Sequence, residues 1–150
     1  MDKNLIYSKF AKSLNSYNNN AIAQKQISNN LISLLKNYPN HHFDQVLEIG
    51  CGTGLLSKKI LDSFIINNII FNDLVYETRF YIEKIMIDYD QVSWSFLPGD
   101  AEAISFPDNI DLFISASTFH WFENIKTFFK KVKQSLKANG LFVFNTFGTN

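Results

Sequence analysis

The segment "QVLEIGCGTGLLSKKI", from Gln45 to Ile60, decides the fold of this 150-residue chain. It starts with an apolar run typical of a buried strand, continues with three glycines at alternate positions, and ends in an amphipathic stretch. Glycines between a strand and a helix commonly form a turn that receives part of a nucleotide-like ligand. The segment therefore predicts a strand, a glycine-rich turn and a helix, with a ligand site at the turn.

The same alternation of strands and helices continues along the whole chain. Strands are predicted at residues 45–50, 68–73, 91–100, 110–116 and 141–147, and helices at 21–37, from Leu55 onward, at 76–88 and at 125–136. This order predicts an α/β fold: a doubly wound, mainly parallel sheet of five strands with helices on both faces. We expect one domain, residues 1–150, with an N-terminal helical cap (1–40) and a sheet core (41–150).

The last predicted helix has the clearest amphipathic pattern. Its apolar stripe consists of Ile125, Phe128, Phe129, Val132 and Leu136, and its basic face of Lys126, Lys130, Lys133 and Lys137. Asn139 and Gly140 are predicted to cap its C-terminus. We interpret the lysine face as a solvated surface, with an acidic partner as the alternative.

Composition excludes several classes of protein. The 14 basic and 14 acidic residues cancel, which argues against a nucleic-acid partner. No apolar run reaches the roughly 20 residues that a membrane-spanning helix needs, and the N-terminus lacks the apolar core of a signal peptide. A single cysteine, Cys51, cannot form an internal disulfide. These features predict a cytoplasmic protein that acts on a small or protein-borne substrate.

The glycine spacing argues against a dinucleotide. Leu55 stands where the dinucleotide-binding pattern GxGxxG would place its third glycine. Glu48 lies just before the glycines, inside an otherwise apolar strand, where a carboxylate is costly unless it is paired. We expect it to be satisfied by backbone N–H groups of the loop or by a ligand amine, and both interpretations stay open. Cys51 is interpreted as a small residue in a crowded turn.

The motif "EIGCGTG" resembles motif I of class I S-adenosylmethionine (SAM) methyltransferases. This resemblance implies SAM as the cofactor and no metal. Asp73 ends the second strand, 19 positions after Gly54, where its two oxygens could accept both ribose hydroxyls. Asp100 ends the third strand, where it could accept from the adenine amino group while the Ala101 N–H donates to the ring. The implied cofactor residues are Glu48, Gly50, Cys51, Gly52, Gly54, Asp73, Leu74, Asp100, Ala101, Glu102 and Ser115.

A narrower resemblance lies in "FAKSLNSYNNNAIAQKQ". Phe10, Tyr17, Ala21 and Gln24 match the F-x6-Y-x3-A-x2-Q signature of malonyl-[acyl-carrier protein] O-methyltransferases of biotin synthesis, and "STFHWFEN" (117–124) is similar to a later segment of that family. The resemblance implies malonyl-carrier protein as the methyl acceptor, with Tyr17, His120 and Trp121 as catalytic candidates. Tyr17 would close over the methionine end of SAM; aromatic packing is the alternative. His120 would be a base only for a phenolic substrate.

The proposed substrate explains why no acid–base pair is evident. A malonyl carboxylate is already ionised at pH 7, so its attack on a sulfonium methyl needs alignment and a dry site rather than a base. The resemblance also implies that methylation converts the free carboxylate of the malonyl group into a methyl ester. Other acceptors stay open, namely quinone precursors and small acids.

The family continues with further helices and two more strands after the position of Asn150. We therefore expect a truncated or split gene product that binds SAM better than it catalyses, and a non-catalytic SAM-binding remnant is a further alternative. Arg79 is the only arginine, and it lies away from the expected substrate entrance. Strand 141–147 is expected to form an apolar edge through which two copies could pair.

Overall fold

The computed structural model describes residues 2–148, with all of their side chains except those of residues 17–20. The helices are α1 (Lys3–Asn20), α2 (Ile22–Lys36), α3 (Leu55–Ser63), α4 (Arg79–Met86) and α5 (Ile125–Ser135), with short 3-10 turns at Tyr76–Thr78 and Phe119–Trp121. The strands are β1 (His42–Ile49), β2 (Ile65–Asp73), β3 (Ser93–Pro98), β4 (Ile110–Ser115) and β5 (Leu136–Phe144). No helix in this part of the chain is long and apolar enough to cross a membrane.

The five strands form one sheet in the order β3-β2-β1-β4-β5, and every pairing among the described residues is parallel. The predicted doubly wound α/β sheet is thereby confirmed. The central strand β1 pairs with β2 on one side and with β4 on the other, so that Val46 lies between Ile69 and Leu112. The chain order reverses at β1 and β4, and ligand sites of such sheets lie beyond this reversal.

The two faces of the sheet carry two cores because successive strand residues point to opposite sides. Val46 belongs to the first core, which α2, α3 and α4 cover and which is rich in Ile and Leu. Leu47 belongs to the second core, which α5 covers and which is dominated by phenylalanines such as Phe113 and Phe128. Helices thus lie on both faces, as the alternation of elements predicted.

The end of the last helix differs from the prediction. Helix α5 ends at Ser135, and Leu136 is already extended as the first residue of β5. The predicted cap of Asn139 and Gly140 is therefore wrong, because both residues lie within β5. Pairing with β4 explains the difference: the partners of Ile110 and Leu112 are Leu136 and Leu141, and the extra residues between them bulge out, with Asn139 at φ 64°.

Helix α1 is a separate element that the sequence pattern did not distinguish within the N-terminal cap. Its first turn is capped by Asp2, whose carboxylate accepts from the backbone N–H of Asn4. The Tyr7 hydroxyl donates to the Glu77 carboxylate at 2.6 Å, and so ties the helix to the 3-10 turn after β2. These bonds place α1 across the C-terminal ends of the strands, above the glycine loop.

Candidate functional site

The glycine loop adopts a conformation that other residues rarely reach. Gly50 and Gly52 have φ angles of 69° and 54°, which lie in the left-handed region. A Cβ at Gly50 would lie 2.2 Å from the Thr118 Oγ1, whereas a Cβ at Gly52 would meet no atom within 4 Å. Gly50 is therefore required by close packing, while Gly52 leaves open space on the side where a ligand could approach.

The loop is held in place by the carboxylate of Asp73, at the end of β2. Its Oδ2 accepts from the Gly52 N–H at 2.8 Å, and its Oδ1 accepts from the Val75 N–H at 2.8 Å. Burial raises the pKa of Asp73 to about 6, while the hydrogen bonds from backbone N–H groups oppose this rise. The carboxylate is thus mostly ionised at neutral pH and fixes the loop. Bracing the loop was one of the two roles that the sequence left open for Glu48.

A cavity lies between this loop and α1, and its wall is largely apolar. Of the predicted cofactor residues, those along this cavity are Gly50, Gly52, Asp73, Leu74, Asp100 and Ala101, and the catalytic candidate Trp121 joins them. Helix α1 contributes Lys3, Ile6, Phe10 and Leu14. Lys3, Ile6 and Leu14 were not predicted from the sequence, although Ile6, Phe10 and Leu14 recur at the four-residue spacing of one helix face.

The turn after β3, which ends at Pro98 rather than at the predicted Asp100, carries two carboxylates that the first residue of α1 bridges. The Lys3 ammonium donates to the Glu102 Oε2 at 2.7 Å and to the Asp100 Oδ1 at 3.5 Å. Glu102 also accepts from the backbone N–H groups of Glu123 and Asn124. Asp100 lies along the cavity, whereas Glu102 is engaged with α1 and with the segment before α5.

Glu48 lies beneath the loop, at a second and smaller cavity that it shares with Cys51, Gln24 and Ser28. Only 1% of Glu48 is exposed, and its Oε2 accepts from the Ser57 hydroxyl at 2.6 Å. Burial raises the pKa of Glu48 to about 8, against the hydrogen bond from Ser57, which lowers it. Its partner in the described structure is thus a side chain of α3 rather than the loop backbone. Burial also raises the pKa of the Cys51 thiol, so it is no reactive nucleophile.

The segment after β4 forms the opposite wall of the cavity. Ser115 is fully buried, and its hydroxyl donates to the Ile49 carbonyl at 2.8 Å, so it joins β4 to β1 rather than lining a cavity. Ser117 lies at both cavities with φ 54°, and its Oγ is buried without a hydrogen-bond partner among the described residues. His120 packs against Trp121 and Phe147, and burial lowers its pKa.

The remaining predicted residues lie elsewhere. Gly54 precedes α3 and faces the Ile85 side chain on the first core's side. Glu102, Ser115 and His120 do not line the larger cavity, so their assigned roles stay predictions. The side chain of Tyr17 lies outside the described residues. Within those residues, no group of three or more His, Cys, Asp or Glu side chains could hold a metal ion.

Solved structures share this fold at low sequence identity. The DhpI–SAH complex matches with a TM-score of 0.76 at 14% identity, over 93% of this chain and 66% of that one. An S-adenosylmethionine-dependent methyltransferase from Clostridium acetobutylicum matches with a TM-score of 0.67 at 24% identity, over 93% of this chain and 56% of that one. These likenesses show a Rossmann-like methyltransferase fold.

Curated relatives match at higher identity. The malonyl-[acyl-carrier protein] O-methyltransferase of Bacteroides thetaiotaomicron is 39% identical over 99% of this chain and 56% of its own length, and that of Chlorobium luteolum is 34% identical over 99% and 57%. The chain thus spans little more than half the length of these relatives. A family model described as "Methyltransferase domain" matches residues 47–144, which is more than half of the chain. The chain therefore belongs to the methyltransferase domain family.

Proposed function

We propose that the larger cavity binds S-adenosylmethionine. The observation that carries this proposal is the placement of Asp73 and Asp100 at neighbouring strand ends, on either side of a cavity whose floor is the glycine loop. Each oxygen of Asp73 already accepts one backbone N–H group, but a carboxylate has about four acceptor positions. Acceptor positions therefore stay available for ribose hydroxyls, so the residues present fit a nucleoside.

The two cavities differ in polarity in a way that suits the two ends of this cofactor. Apolar side chains of α1 line the larger cavity and match the flat adenine ring, with Asp100 at its edge. Gln24, Ser28, Glu48 and Ser117 give the smaller cavity several hydrogen-bonding groups, which suit a charged amino-acid end. We therefore assign Glu48, Gly50, Cys51 and Gly52 to the amino-acid side and Leu74, Asp100 and Ala101 to the adenine side.

When bound, S-adenosylmethionine supplies a methyl group on a positively charged sulfur. The residues of this chain would orient it and keep water out, since apolar side chains of the covering helix and Phe122 after β4 line the cavity. His120 lies against Trp121 rather than along the larger cavity, and burial lowers its pKa, which favours its neutral form. An ionised carboxylate acceptor would need no base, and none is required of the chain.

The proposed methyl acceptor is the free carboxylate of a malonyl group carried by an acyl-carrier protein. The names of the curated relatives and the N-terminal signature support this assignment. Trp121, which lines the larger cavity, and Tyr17 are proposed for the acceptor side. The chain spans little more than half the length of these relatives. Whether it also transfers the methyl group is decided by mass spectrometry of the product.

Isothermal titration with S-adenosylhomocysteine and with NAD tests the cofactor. We expect binding of the first and none of the second, because Leu55 replaces the third glycine of a dinucleotide motif. A folded sample that binds neither would overturn the site assignment. Mass spectrometry of malonyl-carrier protein incubated with S-adenosylmethionine then tests transfer, with a quinone precursor as the competing acceptor. Binding without any methylated product would favour a non-catalytic module.

The edge position of β5 supports the expectation that two copies of the chain could pair through this strand. Leu141 and Val143 are only partly buried there, and β5 has a neighbour on one side only in the described sheet. We propose that this edge pairs with a strand of a second copy of the chain. Size-exclusion chromatography with light scattering would detect such a dimer.

A further inference from the structure

We propose that Lys3 is a positioning residue that fastens α1 over the larger cavity and fixes the carboxylate of Asp100 for the exocyclic amino group of adenine. The inference rests on the proposed binding of S-adenosylmethionine. Lys3 would slow the release of the cofactor and would help the site to distinguish adenine from bases that lack the amino group.

The contacts of Lys3 join three separate parts of the site. Its ammonium lies 2.7 Å from the Glu102 Oε2, 3.5 Å from the Asp100 Oδ1 and 3.4 Å from the Trp121 carbonyl oxygen. It also lies 5.2 Å from the centre of the Phe122 ring, within the range of a cation–π contact. Its side chain is 25% exposed, so these contacts are only partly screened by water.

The two carboxylate partners accept further hydrogen bonds from backbone N–H groups. Burial alone would raise the pKa of Glu102, but the hydrogen bonds from Lys3, Asn124 and Glu123 outweigh it and lower this pKa below its ordinary value. Glu102 is therefore ionised at neutral pH and stays paired with Lys3. Its own N–H donates to the Asp100 Oδ1 at 3.0 Å, so this oxygen is held from two sides.

This arrangement leaves the second oxygen of Asp100 for a ligand. No described residue donates to the Asp100 Oδ2, while the residue as a whole lines the cavity. A carboxylate with one oxygen fixed and the other free presents an acceptor of defined direction. Adenine offers a donor at its amino group, and hypoxanthine offers a carbonyl oxygen there instead, which the carboxylate would repel.

The same residue controls access to the cavity. Lys3 begins α1, and Ile6, Phe10 and Leu14 follow it along the face that covers the cavity. Two further hydrogen bonds join α1 to the neighbouring turn and helix, from Tyr7 to Glu77 and from Tyr81 to Asn15, and both are exposed. The Phe10 ring also packs edge-on against Trp121. We expect a ligand to leave when α1 moves away, a movement that would break the bonds of Lys3.

The test uses the full chain with Lys3→Met, which keeps the aliphatic stem and removes the charge. Lys9→Met is the matched control, because Lys9 is an exposed lysine of the same helix. Stopped-flow fluorescence would give dissociation rates, and titration would give affinities, for S-adenosylhomocysteine and for S-inosylhomocysteine. Lys3→Arg restores a charge that can bridge the carboxylates, and circular dichroism checks that all variants are folded.

We expect Lys3→Met to release S-adenosylhomocysteine about tenfold faster and to lose most of the preference for adenine over hypoxanthine, with Lys9→Met unchanged and Lys3→Arg close to wild type. An unchanged dissociation rate in Lys3→Met would overturn the inference, and so would an equal loss of affinity for both ligands, which indicates a merely structural role. A wild-type chain that binds neither ligand overturns the proposed function itself, and is thereby distinguished from a failure of the Lys3 assignment.

Discussion

The two walls of the larger cavity are built differently. On the loop wall, formed by the glycine loop with Asp73 and Asp100, the carboxylates accept hydrogen bonds from the backbone, and the strand ends are linked to each other through the Asn72 side chain. On the β4 wall, formed by residues 116–118 and Trp121, the Ser117 Oγ is buried without a hydrogen-bond partner among the described residues. The same holds for the Nδ1 of His120, which lies in this segment but not along the cavity.

The carboxylates of the loop wall thus have hydrogen-bond partners, whereas two buried polar atoms of the β4 segment have none among the described residues. Buried polar atoms without partners cost free energy, and they are uncommon except where a ligand or a further segment supplies the missing bond. The loop wall is therefore preorganised for its ligand by the first three strands alone. The β4 segment has bonding capacity left over at Ser117, which lies at both cavities, and at His120, which packs on Trp121 of the side proposed for the methyl acceptor.

The largest loss of stability at the loop wall is expected from Gly50→Ala. Its Cβ would clash with the Thr118 side chain at 2.2 Å and would add the strain of a left-handed conformation, for a total of about 3 kcal/mol of lost stability. Gly52→Ala is the matched control, since it carries only the conformational cost of about 1 kcal/mol. Urea unfolding measures both, and equal losses would show that Thr118 does not pack as described.

The Gly52→Ala variant also separates packing from binding. Its Cβ points into open space at the cavity, so it should weaken S-adenosylhomocysteine binding more than it weakens the fold. Titration of the folded variant measures this effect. Unchanged affinity would remove Gly52 from the proposed cofactor site.

The next effect is expected from Asp73→Asn. An amide has one acceptor oxygen, so either the Gly52 or the Val75 N–H loses its partner, and the loss of a charge-assisted bond costs about 2 kcal/mol. Thermal unfolding would show the loss, and titration would show weaker cofactor binding. Asp88→Asn, at an exposed position, should leave both measurements unchanged.

A smaller, pH-dependent effect is expected at Glu48. Its pKa is raised from an ordinary value of 4.5 to about 8, so the folded state holds a proton that the unfolded state releases. Stability from this group is therefore full below pH 4.5 and is lost as the pH rises towards 8, by at most about 1.4 kcal/mol per pH unit. Asp73 acts in the same direction but only up to about pH 6.

Glu48→Gln isolates this contribution, because its amide oxygen can still accept from the Ser57 hydroxyl. Urea unfolding of the ligand-free chain between pH 6.5 and 8 should give a flatter slope for the variant than for the wild type. Glu83→Gln, at an exposed glutamate, is the control. Parallel slopes for all three proteins would contradict the burial of a protonated Glu48.

The smallest effect compares two serines on the β4 side. Ser115→Ala should cost about 1 kcal/mol, because it removes the donor to the Ile49 carbonyl. Ser117→Ala should leave stability unchanged within about 0.5 kcal/mol or raise it, because its hydroxyl has no described partner to lose. Matched thermal unfolding curves measure both, and a cost at Ser117 equal to that at Ser115 would show that the β4 wall is already complete.

Much of the fold could be predicted because the local pattern and the final structure agree. The alternation of apolar strands and amphipathic helices predicted five parallel strands, and the glycine spacing placed the loop between β1 and α3. The prediction failed at Asn139 and Gly140, where local capping chemistry competed with pairing between β5 and β4 and the sheet prevailed. It also missed Lys3, because a single lysine carries no pattern until the fold brings distant carboxylates to it.

The sequence by itself determined the order of the elements, the position of the glycine loop and the strand-end carboxylates, because these depend on periodicity and on residue type over short distances. Only the tertiary structure decided which group braces the loop, which atoms lie along the cavity and what covers it. Asp73 holds the Gly52 N–H and Glu48 instead accepts from Ser57, although both are acids near the same loop. The reason is that hydrogen bonds and burial depend on directions in space, which residues far apart in the chain set together.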